Sequence, residues 1–233
     1  MKDLGATIRY PWETPPTGSE AIEVAEGVLW MRLPLPMKLD HVNVYALDDG
    51  DSWTVIDTGF DSRKSRAIWE DIFAGPLGGK PVSRVLVTHH HPDHVGGNAE
   101  LAKKYDLEIL GPGHDKGRIP GITKGVNGGD VFTFGGHNVQ VMDTPGHTTS
   151  HIVYYVPSAN AVFVGDTLFM PDYGSARCDF PGGDAGTLYD SVQKLFTLPD
   201  ETRVFLCHDY KAPGRDDFQW ETTIGRQKRH NIL

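Results

Sequence analysis

Short apolar runs of strand length recur along this sequence, and five of them end in polar residues of the metal-binding kind. Loops at one rim of a rigid sheet would bring such groups together. The pattern therefore predicts a sheet-based core with one site at one edge. The five transitions are Val55-Ile56 into Asp57, Val85-Leu86-Val87 into Thr88-His89, Val141-Met142 into Asp143 and then His147, Phe163-Val164 into Gly165-Asp166, and Phe205-Leu206-Cys207 into His208-Asp209.

The order of elements predicts an α+β protein. Helical spacing of apolar residues occurs over Arg63 to Phe73, Asn98 to Tyr105 and Thr187 to Phe196, and strand runs precede and follow helices in both halves. We expect an αβ/βα four-layer sandwich, two mixed sheets with outer helices, rather than an all-β barrel. The predicted strands are 28–31, 41–45, 53–56, 84–87, 139–142, 151–155, 161–164 and 204–206.

The chain of 233 residues is long enough to bury a substantial core. The stretch before residue 22 is rich in proline and threonine, which predicts an extended N-terminal arm over 1–21 and a single domain over 22–233. Exposed aromatic residues in that arm, Tyr10 and Trp12, are compatible with a homodimer.

Composition excludes several classes of function. Lys and Arg total 22 against 31 Asp and Glu, a formal charge of −9, which gives little electrostatic support for nucleic-acid binding. Cys178 and Cys207 are too few for a disulfide scaffold and indicate reduced thiols. The first residues contain no apolar signal region, and no run of 18 apolar residues exists, so we expect a cytoplasmic protein without a membrane partner.

The densest chemical signal is the run from Thr88 to His94, THHHPDH. If the preceding strand continues, His89 and His91 point to one side, while Pro92 can start a helix that carries Asp93 and His94. Neutral imidazoles and carboxylates suit zinc, iron(II) or manganese, and the lack of a nearby cysteine pair argues against a closed structural zinc site. One segment can thus present ligands to two adjacent ions.

Three later residues are candidate metal ligands because they are predicted to lie at the same rim of the sheet. Taken alone, His147 and His208 fit hydrogen-bonded surface histidines, and Asp166 fits a turn or helix-capping residue. Each follows an apolar strand, however, and joins the group predicted above.

The motifs THxHxDH, PGHT, GDT and CHDY, in this order, resemble the metallo-β-lactamase superfamily over nearly the whole chain. The resemblance implies that Asp166 bridges two metal ions and that Asp57, in its IDTG turn, orients a ligand without binding metal. Two divalent ions, zinc in the leading hypothesis, would share a hydroxide that attacks a carbonyl, and Asp93 would orient or deprotonate that water. The implied ligands are His89, His91 and His147 for one ion, and Asp93, His94 and His208 for the other.

Two branches of the superfamily compete. The middle of the chain, including residues 86–98 and 111–122, resembles glyoxalase II, which hydrolyses the thioester of an acylated glutathione. Residues 170–184, the CHDY motif and residues 222–231 resemble persulfide dioxygenases and β-lactamase hydrolase-like proteins. In that second family, residues matching His89, His147 and Asp166 hold one iron(II), and the remaining ligands bind no second ion.

Both branches imply a glutathione contact through Arg177 and Tyr210. A guanidinium can bind a carboxylate bidentately, and a phenol can donate a hydrogen bond to a peptide group. The alternatives are a surface ion pair of Arg177 with Asp179 or Asp172, and a packed aromatic role for Tyr210.

Other reactive residues receive supporting roles. We expect His90 and His151 either to support a ligand or to be structural, because the family's metal positions are already filled, and we assign no chemistry to Cys178. The leading hypothesis is a dinuclear metallo-hydrolase that cleaves a glutathione thioester, and the alternative is a mononuclear iron(II) glutathione persulfide dioxygenase. A lactonase or β-lactamase and a non-catalytic metal-binding module rank lower.

Overall fold

The structure is a computed structural model that describes residues 14–233. Residues 1–13, which hold Tyr10 and Trp12 of the predicted arm, lie outside the described residues. The first strand begins at Ile22, where the organised chain was expected to start. The division into an arm and a single domain remains a prediction. Among the described residues, no helix is both long and apolar enough to cross a membrane.

The first sheet has seven strands that lie in chain order. Its first four strands pair antiparallel, and the fourth to seventh pair parallel, so the sheet is mixed. The strands are β1 (Ile22–Ala25), β2 (Val28–Pro34), β3 (His41–Asp48), β4 (Trp53–Ile56), β5 (Val82–Leu86), β6 (Glu108–Pro112) and β7 (Lys124–Val126).

The second sheet has six strands, which run across it in reverse chain order. It is antiparallel apart from one parallel pair, β11 with β12, and is therefore also mixed. Its strands are β8 (Val131–Phe134), β9 (His137–Asp143), β10 (Ile152–Val156), β11 (Ala161–Phe163), β12 (Arg203–Phe205) and β13 (Glu221–Thr223).

Five α-helices occur in the described residues, and side-chain caps fix the starts of three of them. Ser62, Asp184 and Thr223 each accept a hydrogen bond from a backbone N–H three residues on, which satisfies one of the free donors of the first turn. The helices are α1 (Arg63–Ala74), α2 (Pro92–Val95), α3 (Asn98–Lys104), α4 (Ala185–Leu195) and α5 (Ile224–His230).

Alternation along the strands builds three apolar layers and so confirms the predicted four-layer sandwich. Trp30, Tyr45 and Phe163 face the space between the two sheets. Met31, which follows Trp30, points to the opposite face of the first sheet and packs against the helices that cover it. Val162, which precedes Phe163, packs in the same way against the helices that cover the second sheet. Two sheets with outer helices are therefore stabilised by one core between the sheets and one under each helical layer.

The eight predicted strand runs all coincide with strands, with boundary shifts of at most three residues. One premise is wrong: β5 ends at Leu86, so His89 and His91 lie in the loop after the strand rather than on its continuation. Pro92 does begin a helix. The unpredicted strands β1, β6, β7, β8 and β13 are short, and β6 ends in Gly111 and Pro112, residues that favour turns.

Candidate metal centre

A group of three histidines lies at the rim formed by the ends of the strands. His91 Nδ1 is 3.0 Å from His147 Nε2, and the ring of His89 is 5.1 Å from that of His147. His89 is fully buried, and its Nε2 has no hydrogen-bond partner among the described residues. A buried ring nitrogen without a partner is costly, and a metal ion is the partner that this donor set would fit.

The protonation of these histidines favours metal binding. Burial, with the neighbouring imidazoles, lowers the pKa of His91 to about 4 and holds the pKa of His89 well below its usual range. Both rings are therefore neutral at pH 7, the form in which an imidazole nitrogen can donate its lone pair to a cation.

A second group lies beside the first and contains His94, Asp166 and His208. The three distances among His94 Nε2, His208 Nε2 and Asp166 Oδ1 are 3.3, 3.3 and 3.4 Å. A tetrahedral ion with bonds of about 2.0–2.1 Å requires ligand separations of about 3.3–3.4 Å. These three atoms are therefore spaced to share one ion.

Asp93 is placed at the open side of this second group by the first turn of α2. Its Oδ2 is 3.5 Å from His208 Nε2 and 4.0 Å from His94 Nε2. Burial acts to raise the pKa of Asp93, but His94 and His208 outweigh it, and that pKa lies below its ordinary value. The side chain is therefore an ionised carboxylate that retains some exposure.

Asp166 joins the two groups. Its Oδ2 is 3.3 Å from His147 Nε2, and its Oδ1 faces His94 and His208. Burial acts to raise the pKa of Asp166, but the neighbouring histidines outweigh it and hold the pKa well below its usual value. Each carboxylate oxygen thus faces a different group, as expected of a bridging ligand.

In three of the histidines, the Nδ1 atom points away from the metal groups and lies next to a hydrogen-bond acceptor outside them. His94 Nδ1 lies 2.8 Å from Asp57 Oδ2, His147 Nδ1 donates to the Arg177 carbonyl at 2.6 Å, and His208 Nδ1 lies 3.3 Å from the His41 carbonyl. Such partners fix the tautomer and leave Nε2 for the metal. Asp57 therefore lies where the sequence placed it, behind a ligand.

A family model described as the metallo-beta-lactamase superfamily matches residues 37–208, which contain both groups of ligands. The chain belongs to the metallo-β-lactamase superfamily. The two mixed sheets, the outer helices and the site at the rim agree with this assignment.

Relatives within the superfamily point in two directions. A hydroxyacylglutathione hydrolase of Rhizobium meliloti is 41% identical over 132 residues, which cover 57% of this chain and 50% of the relative. The chain thus spans about half the length of the curated relatives it matches. A beta-lactamase domain protein from Burkholderia ambifaria has a TM-score of 0.80 at 26% identity, over 95% of this chain and 78% of that one. ETHE1 from Myxococcus xanthus has a TM-score of 0.69 at 30% identity, with 87% and 83% covered.

This superfamily member carries its two candidate substrate residues beside the metal groups. Arg177 binds Asp179 through two hydrogen bonds of 2.6 and 2.5 Å, and its guanidinium lies 4.6 Å from the centre of the Phe180 ring. Tyr210 stacks on Tyr173 at 4.5 Å, and burial raises the pKa of its phenol. The ion pair and the packed aromatic are the alternatives that the sequence left open, and the glutathione contacts remain predictions.

Two buried residues lie beside Asp166, of which Cys207 was given no role by the sequence and His151 a supporting or structural one. Cys207 Sγ donates to Asp166 Oδ1 at 2.9 Å, and His151 Nε2 accepts from the Asp166 backbone N–H at 3.0 Å. Because that nitrogen accepts, the proton of His151 lies on Nδ1, next to Thr144 Oγ1 at 2.9 Å. Their adjacency to metal motifs was a usable signal, since Cys207 precedes His208 and His151 follows the PGHT turn.

His90 and Cys178 lie outside both candidate metal groups. His90 Nδ1 is 2.8 Å from the buried carboxylate of Asp115, which fastens the loop after β5 to the end of β6. This contact is structural, as expected for His90, and His151 has the supporting position described above.

Proposed function

We propose that this protein hydrolyses a thioester, with a glutathione conjugate as the substrate class, at a site for two divalent metal ions. The observation that carries the proposal is the placement of Asp166, whose two oxygens face two separate groups of histidines. A site for one ion does not require a carboxylate between two such groups. The identity to a hydroxyacylglutathione hydrolase supports the reaction class.

The donor set suits zinc and similar ions, with imidazole nitrogens in both groups and, in the second, the Asp166 carboxylate and the Cys207 thiol, with Asp93 beside them. We assign His89, His91 and His147 to one ion and Asp93, His94 and His208 to the other, with Asp166 shared. When bound, two such ions supply Lewis acidity that polarises a carbonyl group and activates water at neutral pH.

The chain's own residues supply proton handling and orientation. Asp93 is ionised and partly exposed, so it can accept the proton of an attacking water and aim that water at the acyl carbon. Thr88 and Asp57 hold the rear of the cluster through buried hydrogen bonds of 2.8 and 2.9 Å, which keeps the ligands in place during turnover.

Recognition of the thiol carrier is assigned to Arg177 and Tyr210. The Arg177 guanidinium is exposed and its partner Asp179 is exposed too. An exposed ion pair is screened by water and contributes little to stability, so a glutathione carboxylate can replace Asp179. Tyr210 and Phe180 are partly exposed aromatics, and their ring centres lie 6.2 Å from that of His208 and 5.6 Å from that of His147, respectively.

The test combines metal analysis with a thioesterase assay. Protein loaded with zinc is expected to bind two equivalents and to hydrolyse S-lactoylglutathione. A lactoyl thioester whose thiol carries no carboxylate groups serves as the control. It should be hydrolysed more slowly than S-lactoylglutathione. One tightly bound iron, together with no thioesterase activity in any metal form, would contradict the proposal.

A second candidate function is an iron(II) glutathione persulfide dioxygenase with one ion. The observation that favours it is the contact of Cys207 with Asp166 Oδ1, the oxygen that faces the second group, because a thiol hydrogen bond there competes with a second cation. The 30% identity to ETHE1 supports the comparison. Oxygen uptake by iron-loaded protein with glutathione persulfide tests it, and absence of uptake would exclude it.

A further inference from the structure

A buried carboxylate that the proposed chemistry does not use lies directly after the metal ligand His208. Asp209 is 1% exposed and accepts hydrogen bonds from Arg215 at 2.5 and 2.6 Å. The backbone N–H groups of Lys211 and Gln219 donate to it at 3.1 and 2.7 Å. Both oxygens are therefore occupied, and the loop that follows His208 is folded around this carboxylate.

Arg215 extends this network to a different loop. It binds Asp172 at 2.7 and 3.1 Å and donates to the Asp217 carbonyl at 2.8 Å. Together with the two bonds to Asp209, all five N–H donors of the guanidinium are used. A surface ion pair would not satisfy every donor, and the Arg215 side chain is only 14% exposed.

The two loops that Arg215 connects form one wall of the proposed site. One loop follows β11 and carries Asp172 and Tyr173, and the other follows His208 and carries Tyr210. The rings of Tyr173 and Tyr210 stack at 4.5 Å and 11°. The Tyr210 ring also lies 6.2 Å from the His208 ring. A shift of either loop would therefore move the stacked rings of Tyr173 and Tyr210, and with them the neighbouring His208.

We propose that Arg215 is a positioning residue that holds His208 for the second metal ion and Tyr210 for the substrate by joining the two loops. The inference rests on the proposed function, because it assigns His208 to a second ion. Lysine cannot replace arginine here, since its three donors radiate from one atom and cannot bind two carboxylates bidentately. The hydrogen-bond partners of Arg215 are Asp172, Asp209 and Asp217, none of which belongs to either candidate metal group.

The test compares Arg215→Lys with a matched control, Arg203→Lys. Arg203 binds Glu221 bidentately at 2.6 Å in the same half of the molecule, between β12 and β13. Zinc affinities of both equivalents are measured by competition with a chelator. We expect Arg215→Lys to weaken the second equivalent by about 10- to 100-fold, to leave the first unchanged and to raise KM. Arg203→Lys is expected to change neither affinity.

Equal affinity for the second equivalent in Arg215→Lys and the wild type would overturn the inference, as would an equal loss in Arg203→Lys. If Arg215→Lys does not fold, Asp172→Asn decides, because it releases the loop after β11 while the buried Asp209 keeps Arg215 as its partner. A weaker second equivalent in that variant supports the inference, and an unchanged one overturns it. A wild type that binds one ion contradicts the proposed function instead, so the two failures are distinguishable.

Discussion

At the scale of single residues, Asp57 shows how the metal groups are supported from behind. It has a φ of +55°, a conformation that costs a non-glycine residue free energy. Its carboxylate accepts from the backbone N–H and the hydroxyl of Thr88 and contacts His94 Nδ1. Burial acts to lower the pKa of His94, but Asp57 and the neighbouring carboxylates outweigh it and raise that pKa well above its usual value.

Asp57→Asn is expected to weaken binding of the second ion by about 10- to 100-fold, since a neutral amide oxygen is a weaker acceptor for the His94 ring. Chelator competition with zinc measures the effect. Asp61→Asn, which removes an exposed partner of Arg66, is the control and should leave the affinity unchanged. Wild-type zinc affinity in Asp57→Asn would refute the supporting role.

The candidate ligands stand out at this scale because each lies in a short motif after an apolar strand. The contacts that support them were less predictable. Cys207 and Asp166 are far apart in sequence, and so are Arg215 and Asp172. Only the packing of one loop on another brings such pairs together, and no local pattern in the sequence encodes that.

At the scale of elements, the turn that carries His147 is set by its contact with α4. Gly146 has a φ of +127°, and its carbonyl accepts from the backbone N–H of Asp184, the cap of that helix. A Cβ on Gly146 would lie 2.3 Å from the backbone nitrogen of Leu188. The turn and the helix therefore approach too closely for any side chain.

Gly146→Ala is expected to lower the free energy of unfolding by about 2–4 kcal/mol, because backbone atoms of α4 must move. It is also expected to lower the affinity for the first ion, because His147 lies in the same turn. Urea unfolding and zinc titration measure the two effects. Gly186→Ala is the matched control in the same helix, since its Cβ would meet only the Asp184 side chain at an ordinary 3.5 Å. Similar stability of the two variants would contradict the argument.

Helices were easier to predict than strands at this scale. The pattern of apolar residues placed α1, α3 and α4 within two residues of their bounds. Strands β7 and β8 were missed because they have three and four residues, and β8 alternates partly exposed residues that do not stand out as a core run. Pairing with neighbours, rather than their own composition, makes them strands.

At the scale of the whole molecule, each sheet carries part of the metal centre. The loops after β4 and β5 supply Asp57 and the His89 to His94 cluster, and the second sheet supplies His147, Asp166 and His208. An ion that binds both sets therefore joins the two sheets at the rim. Their apolar faces pack together below it, with the stacked rings of Trp30 and Trp220 4.0 Å apart.

Removal of metal is expected to lower the melting temperature by about 8–16 °C. A metal ion present at about 1,000 times its Kd raises the free energy of unfolding by about 4 kcal/mol. Each kcal/mol of that free energy shifts the melting temperature by about 2–4 °C in a chain of this size. Differential scanning calorimetry of zinc-loaded and chelator-treated protein measures it. In His89→Ala, chelator treatment should lower the melting temperature by less than in the wild type. A decrease as large as in the wild type would argue against His89 as a ligand.

Apart from Tyr210, which closely follows His208, the proposed substrate contacts lie away from the candidate ligands along the chain. The ligands lie close to strand ends, whereas the exposed aromatics Tyr173 and Phe180 lie on the long connection between β11 and α4. Replacement of the part of that connection after Asp166 can thus change the proposed substrate contacts and leave the candidate ligands in place. For the same reason, the segment from Met170 to Asp184 is the one to exchange with a relative when a different substrate range is the target.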